Sequence, residues 1–308
     1  MTRRFVVLST LGTLILCATS AVLYLLRDPL PRFMERRSEI AHVSEGEITV
    51  ADGYQFQTTT IAAKSGLTFS LTVRRQVATT TSRLPAVIIL GGHLTGKEAA
   101  RLVGETPGVL VAAVSYPFTG DLRPSKSTFS RQIPKIRAAF LDTPPALMLA
   151  LDYLLARPDV DARHVEGVGV SLGAPFMTIA GALDSRFSRV WAIHGSGGSY
   201  VPLEANMKRT ISFKPVRVFA AGLANVIIAG PSLAPERWVS RISPRPFIMV
   251  NATEDERLPR EAVDALYERA AHPKEHIWMS GGHVHGDAPT IQRLVQIVLS
   301  RVRPPAAS

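Results

Sequence analysis

The sequence contains almost no cysteine and comparatively few aromatic or charged residues. One of its 308 residues is cysteine, 7% are aromatic and 19% are charged. Because Cys17 lies in an N-terminal apolar run, the rest of the chain can form no disulfide and no thiolate metal site, which leaves the cellular compartment open. With 46% hydrophobic residues and no polar tract or internal repeat, the chain should bury a substantial core.

The chain is basic, but its charge pattern does not favour nucleic acid. The formal net charge is +10, and residues 1–37 alone hold six arginines against two acidic residues. Elsewhere the charge is spread out, without the Lys/Arg stripe or interleaved aromatic residues of a nucleic-acid-binding protein. We therefore interpret the basicity as juxtamembrane and surface charge and expect no nucleic-acid partner.

An uncharged apolar run over Phe5–Leu26 predicts a transmembrane helix. As a helix it would reach about 33 Å, enough to cross the hydrocarbon core of a bilayer. Small residues at 18–20 leave a cleaved signal peptide as the alternative, although the apolar run continues beyond them. We expect residues 1–37 to form a membrane anchor with a basic linker, followed by a folded domain over residues 38–308. Arginines flank both ends of the apolar run and leave its orientation open, but the short basic tail favours a domain on the extracytoplasmic side.

Short apolar runs that alternate with amphipathic stretches predict an α/β fold, with a mostly parallel sheet flanked by helices. Ahead of them, alternating residues within 38–76 predict half-exposed strands. Buried strands are predicted at Leu84–Leu90, Val109–Val114, Val165–Val170, Val190–Ile193, Pro246–Val250 and His276–Met279. Helices are predicted at Lys97–Val103, from Pro144 to about Arg157, and at Leu172–Leu183, Pro259–Ala271 and Ala288–Val302.

The pattern Gly-Val-Ser-Leu-Gly at residues 169–173 predicts that Ser171 is a nucleophile. The pattern follows a valine-rich strand and opens a helix, which is the turn that exposes a nucleophilic serine. Glycines on both sides leave room where side chains would collide with the neighbouring strand and helix. A serine that merely caps the helix would not explain both glycines.

A serine nucleophile needs a base, and the base needs an acid that orients it. In open α/β sheets such groups lie in loops after the carboxyl ends of strands. The loop after the fifth buried strand contains Glu254, Asp255 and Glu256, and the loop after the last strand contains His283 and His285. The chain therefore carries a serine, an acid and a histidine in that order.

Three short motifs carry a family resemblance. They are the elbow at residues 169–173, Asp255 followed by Leu258-Pro259, and Gly281-Gly282-His283. With these motifs, residues 84–302 resemble the α/β-hydrolase superfamily, most nearly its dienelactone-hydrolase and acetyl-esterase-like members. The resemblance implies that Ser171 is the nucleophile, His283 the base and Asp255 the orienting acid.

The oxyanion hole needs one backbone N–H from the residue after the nucleophile, Leu172, and another from the loop after the first buried strand. That loop reads Gly91-Gly92-His93-Leu94, where many relatives carry His-Gly. Because the glycines still supply a flexible backbone, we expect the N–H of His93 to be the second donor, with Leu94 as the alternative.

Two other motifs suggest different chemistry. His283, His285 and Asp287 form an H-x-H-x-D pattern similar to that of metallo-β-lactamase sites. However, Ala288 stands where a further histidine is expected, and only about twenty residues remain for more ligands. Ser196 lies in a glycine-rich turn but lacks the glycine two residues before it. We therefore expect no metal and no organic cofactor.

Residues from about 195 to 245 fit no strand–helix alternation and lie where this superfamily inserts a lid. Lys208, Arg209, Lys214 and Arg217 are basic, whereas Val218–Ile228 is apolar. This pattern is typical either of an amphipathic lid that rests on lipid or of a helical cap with a solvated face.

Together these features predict a carboxylic-ester hydrolase that cleaves small-molecule acyl esters through an acyl-enzyme. Peptidase or thioesterase chemistry would use the same residues. A membrane-tethered binding protein on a hydrolase scaffold is the alternative from another functional class. The sequence leaves the acyl-chain length and the oligomeric state open.

Overall fold

The computed structural model describes residues 27–77, 83–92, 95–121, 125, 127–284 and 288–302, together with 12, 13, 16, 19, 20 and 23. Within these residues a nine-stranded sheet organises the protein. Its strands are β1 Ile40–Ala51, β2 Tyr54–Ala63, β3 Thr68–Gln76, β4 Leu84–Leu90, β5 Leu110–Val114, β6 Val160–Val170, β7 Arg189–Ile193, β8 Phe247–Ala252 and β9 Lys274–Met279.

The strands lie in the order β1-β2-β3-β5-β4-β6-β7-β8-β9. The pairs β1–β2, β2–β3 and β3–β5 are antiparallel. Every later pair in this order, from β5–β4 to β8–β9, is parallel. The predicted α/β fold with a mostly parallel sheet is thus confirmed. Because carboxyl ends of parallel strands share an edge, the loops after β4, β6, β7, β8 and β9 converge there.

Helices cover both faces of the sheet. In the described residues they are α1 Leu30–Arg36, α2 Ala99–Leu102, α3 Phe129–Leu155, α4 Gly173–Leu183, α5 Tyr200–Met207, α6 Lys214–Ile227, α7 Arg260–Arg269 and α8 Ala288–Val302. Alternate residues of one strand point to opposite faces. Accordingly, Ile88 packs in the larger core with α3 and α4, whereas Val87 packs in a second core with α8.

Helix α3 is longer than the sequence predicted. It begins at Phe129 and not at Pro144, and it contains Pro134, Pro144 and Pro145. Proline lacks the N–H that the helix ladder uses and normally ends or kinks a helix. Every residue over 141–151 is nevertheless buried. The predicted start was wrong because burial of this segment outweighs local propensity.

One helix of the described part is long and apolar enough to cross a membrane, and it is α3, whose apolar window is 78% buried inside the protein. The predicted anchor, Phe5–Leu26, lies mostly outside the described residues. Just after it, α1 packs against α3. Phe33 is fully buried, and Arg32 and Arg36 each bond to the carboxylate of Asp142, at 2.7 and 2.9 Å.

Candidate active site

Ser171 lies in a strained turn between β6 and α4. Its φ is 53°, in the left-handed region that residues with side chains rarely adopt. A Cβ on Gly169 would come within 2.6 Å of the Ala174 Cα, and one on Gly173 would collide with the carbonyl oxygen of Leu90. The two glycines therefore permit the close packing that holds this turn at the carboxyl edge of the sheet.

A chain of hydrogen bonds links Ser171, His283 and Asp255. Nε2 of His283 lies 2.7 Å from Oγ of Ser171, and its Nδ1 lies 2.8 Å from Oδ2 of Asp255. The three residues come from the loops after β6, β9 and β8, which meet at the carboxyl edge. The side chains of His283 and Asp255 are only 2% and 4% exposed. In this arrangement the imidazole can accept the serine proton while the carboxylate orients the ring.

Hydrogen-bond donors hold the Asp255 carboxylate in its ionised form. Its Oδ1 accepts the backbone N–H groups of Arg257 and Leu258, at 2.9 and 3.0 Å. Its Oδ2 accepts from both His194 and His283. Burial alone would raise the pKa of Asp255, but the bonds from His194 and His283 and from the Arg257 N–H outweigh it and keep the pKa well below its usual range. The anion is therefore present to stabilise an imidazolium.

His194 also belongs to this site, although no motif in the sequence marks it. It follows β7 with a φ of 47°, and its backbone N–H donates to the carbonyl of Val250 at 2.7 Å. Its buried Nδ1 lies 2.9 Å from Oδ2 of Asp255, and its ring centroid lies 4.9 Å from that of His283. The signal in the sequence was its position directly after a buried strand. The sequence pattern there predicts only the glycine-rich turn that contains Ser196.

The Leu172 amide is suited to an oxyanion. Leu172 precedes α4, and the first N–H groups of a helix have no intrahelical acceptor. The Tyr116 hydroxyl donates to the carbonyl of Gly91 at 2.8 Å and fixes the start of the loop after β4. The predicted second donor, His93, and its alternative, Leu94, lie outside the described residues.

Comparison of the sequence with protein-family profiles and with curated proteins finds no match. Solved structures, however, superpose well. Acetyl xylan esterase from Paenibacillus sp. R4 has a TM-score of 0.64 at 15% identity, over 87% of this chain and 91% of its own. Acetyl Xylan Esterase 1 from Thermoanaerobacterium sp. JW/SL YS485 has a TM-score of 0.62 at 16% identity, over 88% and 92%. The alpha/beta hydrolase GrgF from Penicillium sp. sh18 has a TM-score of 0.55 at 16% identity, over 80% and 98%. The chain has the α/β-hydrolase fold.

The alternative site residues take other positions in this α/β-hydrolase fold. Oε2 of Glu256 accepts the backbone N–H of His283 at 3.0 Å, and Glu254 is exposed. Among the described residues, Ser196 has no hydrogen bond to a histidine. It lines a cavity beside Ser171. Asp255 is therefore the acid of its loop that contacts the His283 ring.

One group of three in the described part of the chain has the spacing of metal ligands. The ligand atoms of His194, Asp255 and His283 lie within 4.8 Å of one another. A cation there would compete with the hydrogen bonds that His283 makes to Asp255 and Ser171. His285 and Asp287, the rest of the H-x-H-x-D pattern, lie outside the described residues. The expectation of no metal stays a prediction.

Two cavities of the hydrolase fold meet at the nucleophile. The α8 cavity, of about 440 Å³, lies between α8 and strands β4, β5 and β6. The insertion cavity, of about 520 Å³, lies under the segment 195–245. Ser171, Leu172 and His283 line both. Two separate spaces therefore adjoin Ser171.

Proposed function

We propose that the protein is a carboxylic-ester hydrolase that works through an acyl-enzyme. The observation that carries this proposal is the continuous hydrogen-bonded relay from Ser171 through His283 to Asp255. The choice of esters as substrates is supported by the two acetyl xylan esterases of the same fold. We propose that the substrate is a small-molecule ester and that neither a metal nor an organic cofactor takes part.

In the proposed reaction Ser171 Oγ attacks the ester carbonyl as Nε2 of His283 takes its proton. The Leu172 N–H, with a second N–H that we assign to His93, stabilises the negative oxygen of the tetrahedral intermediate. His283 then gives the proton to the leaving alkoxide, and the acyl group remains on Ser171. A water molecule, deprotonated by His283, releases the acid and restores the serine. Throughout, ionised Asp255 stabilises the imidazolium.

Peptidase and thioesterase reactions would use the same relay, and they remain the alternatives within catalysis. A catalytically silent binding protein would not need a strained turn with a serine hydroxyl in contact with an imidazole. The φ of 53° at Ser171 and the 2.7 Å contact to His283 therefore favour an enzyme over a binding scaffold.

We also propose that the enzyme is anchored in a membrane on the extracytoplasmic side and that residues 195–245 form its lid. The first described residues after the apolar run touch this segment, because the Ser232 hydroxyl donates to the Arg27 carbonyl at 3.3 Å. Helix α6 of the lid exposes Val216, Phe219 and Leu223, which lie on one face at helical spacing. An apolar stripe of this kind suits a bilayer surface.

The test of the reaction is labelling by a fluorophosphonate probe together with ester turnover. Ser171→Ala should abolish labelling and lower turnover by about 10⁴-fold, the scale of a lost triad member. His283→Ala should match that loss. His285→Ala is the control and should cost far less. Retained activity in Ser171→Ala, or inhibition by chelators, would contradict the proposal.

A further inference from the structure

In the described part of the chain, the α8 cavity lies where the helix after β4 is short. The helix that follows β4, α2, spans only Ala99–Leu102. The buried side chains of Val87, Val111 and Val168 line the cavity between α2 and α8. Protein interiors are otherwise close-packed with few voids. An apolar cavity of about 150 Å³ already accepts benzene, and this one measures about 440 Å³.

The polar side chains that line the cavity either lie near Ser171 or already have a hydrogen-bond partner in the protein. Ser171, Arg257 and His283 lie at the catalytic end, where they also line the insertion cavity. The Thr95 hydroxyl donates to the Gly92 carbonyl at 2.8 Å.

The second threonine in the lining is Thr106, whose Oγ1 accepts from Arg74 at 3.1 Å. A sugar hydroxyl entering this space would lose its bonds to water and gain few in return. An alkyl chain would gain from leaving water.

The lining of the cavity also extends along α8. It follows α8 from Ile291, near the catalytic end, to Leu299, a helical distance of about 12 Å. Val295 lies midway along this wall. This length can hold a linear chain that begins at the ester group.

We infer that the α8 cavity binds an unbranched aliphatic chain of the ester substrate. This inference rests on the proposed ester hydrolysis and narrows it to esters with a chain well beyond acetyl. The chain belongs either to the acid or to the alcohol, and the carbonyl carbon lies at Ser171 in both cases.

Two ester series test this inference on the full-length protein. One lengthens the acid, from p-nitrophenyl acetate to the decanoate, and the other lengthens the alcohol, from ethyl acetate to decyl acetate. We expect kcat/KM to rise about fourfold with each added methylene in one series, since each buried methylene is favourable by a similar amount. The series in which kcat/KM rises shows whether the aliphatic chain belongs to the acid or to the alcohol. Hydrolysis of acetates with no rise in either series would overturn the inference.

A filled cavity should lose this preference. Val295→Phe is expected to lower the ratio of kcat/KM for the long ester to that for the acetate at least tenfold, because the ring occupies the middle of the cavity. Ile297→Phe is the matched control, since Ile297 is also half-buried on α8 but does not line the cavity. The control should keep the wild-type ratio. An unchanged ratio in Val295→Phe would contradict the inference, and the acetate rate reports whether the variant is folded.

Binding separates this inference from the proposed function. Calorimetry with decanoate on the full-length Ser171→Ala protein should detect binding that Val295→Phe, added to it, removes. If the protein hydrolyses no ester but binds decanoate in this way, the proposed function fails and the hydrocarbon site stands. If esters are hydrolysed but decanoate does not bind, the hydrocarbon site is wrong and the proposed function stands.

Discussion

At the scale of single residues, the Asp255 carboxylate is the point where two imidazoles meet. His283 contacts the nucleophile, whereas His194 contacts the carboxylate and the His283 ring. We therefore regard His194 as a positioning residue. In the proposed reaction it keeps Asp255 ionised and oriented while His283 moves the proton.

Removal of the His194 donor gives a graded prediction. A hydrogen bond to a charged group contributes about 1.5–3 kcal/mol, so His194→Ala should lower kcat roughly 10–100-fold with little change in KM. His194→Asn retains an amide N–H near the position of Nδ1 and should recover most of the loss. Stopped-flow or steady-state kinetics on both variants decide this. Equal losses in the two variants would show that only the ring's packing matters.

The sequence could predict those site residues that occur in recognisable local motifs. The elbow at residues 169–173 and the Gly-Gly before His283 are visible as strings of residues. The family resemblance, and not the acidic loop itself, selected Asp255 over Glu254 and Glu256. His194 has no motif, since its role depends on the parallel pairing of β7 with β8, which brings it beside Asp255.

At the scale of elements, strand β9 carries a titratable group that ties stability to pH. His276 packs between Tyr267 and Trp278 and bonds to Asn251. Burial, helped by the nearby charge of Arg260, lowers the pKa of His276 to about 4. The folded protein therefore favours the neutral ring.

This shift predicts a loss of stability in acid. Below the ordinary histidine pKa of about 6.5 the unfolded chain binds a proton that the folded one refuses. The free energy of unfolding should therefore fall between pH 6.5 and about 4, by at most about 3 kcal/mol given the ring's partial exposure. Urea unfolding of wild type and His276→Gln across this range tests it. The free energy of unfolding of the wild type, minus that of His276→Gln, should fall as the pH falls. A value that stays constant across this range would contradict the prediction.

The elements also show why local sequence is a partial guide. Apolar runs located β4, β5, β7 and β8 to within two residues, because strands that are buried on both faces are nearly continuous runs of apolar residues. The predicted start of α3 was wrong because Pro144 and Pro145 are typical of the first turn of a helix. The helix extends across them because it packs against residues that are distant in the sequence.

At the scale of the whole molecule, the boundary between the anchor and the domain remains a prediction. The packing of α1 indicates where a shortened protein should begin. Phe33 is fully buried in the main core and its ring lies 6.0 Å from that of Trp238. Arg37 forms a further ion pair with Asp184 at 3.0 Å. A shortened protein should therefore keep α1.

Two shortened chains test the contribution of α1 to stability. The chain that begins at Arg27 should be soluble and unfold in urea as a stable domain, whereas the full chain should stay in the membrane fraction after carbonate extraction. The chain that begins at Glu39 should be less stable by about 3–5 kcal/mol, the usual effect of losing a buried Phe. Equal stability of the two shortened chains would show that α1 is dispensable. Release of the full chain by carbonate would contradict the anchor.

The shared carboxylate has a consequence for how the site comes apart. Asp255 joins the loops that follow β7, β8 and β9, so that an opening of one loop removes a partner from the other two. Local openings in proteins occur in cooperative units of this kind. The three loops should therefore exchange their amide hydrogens as one unit, and heat should inactivate the enzyme in a single local step before the sheet itself melts.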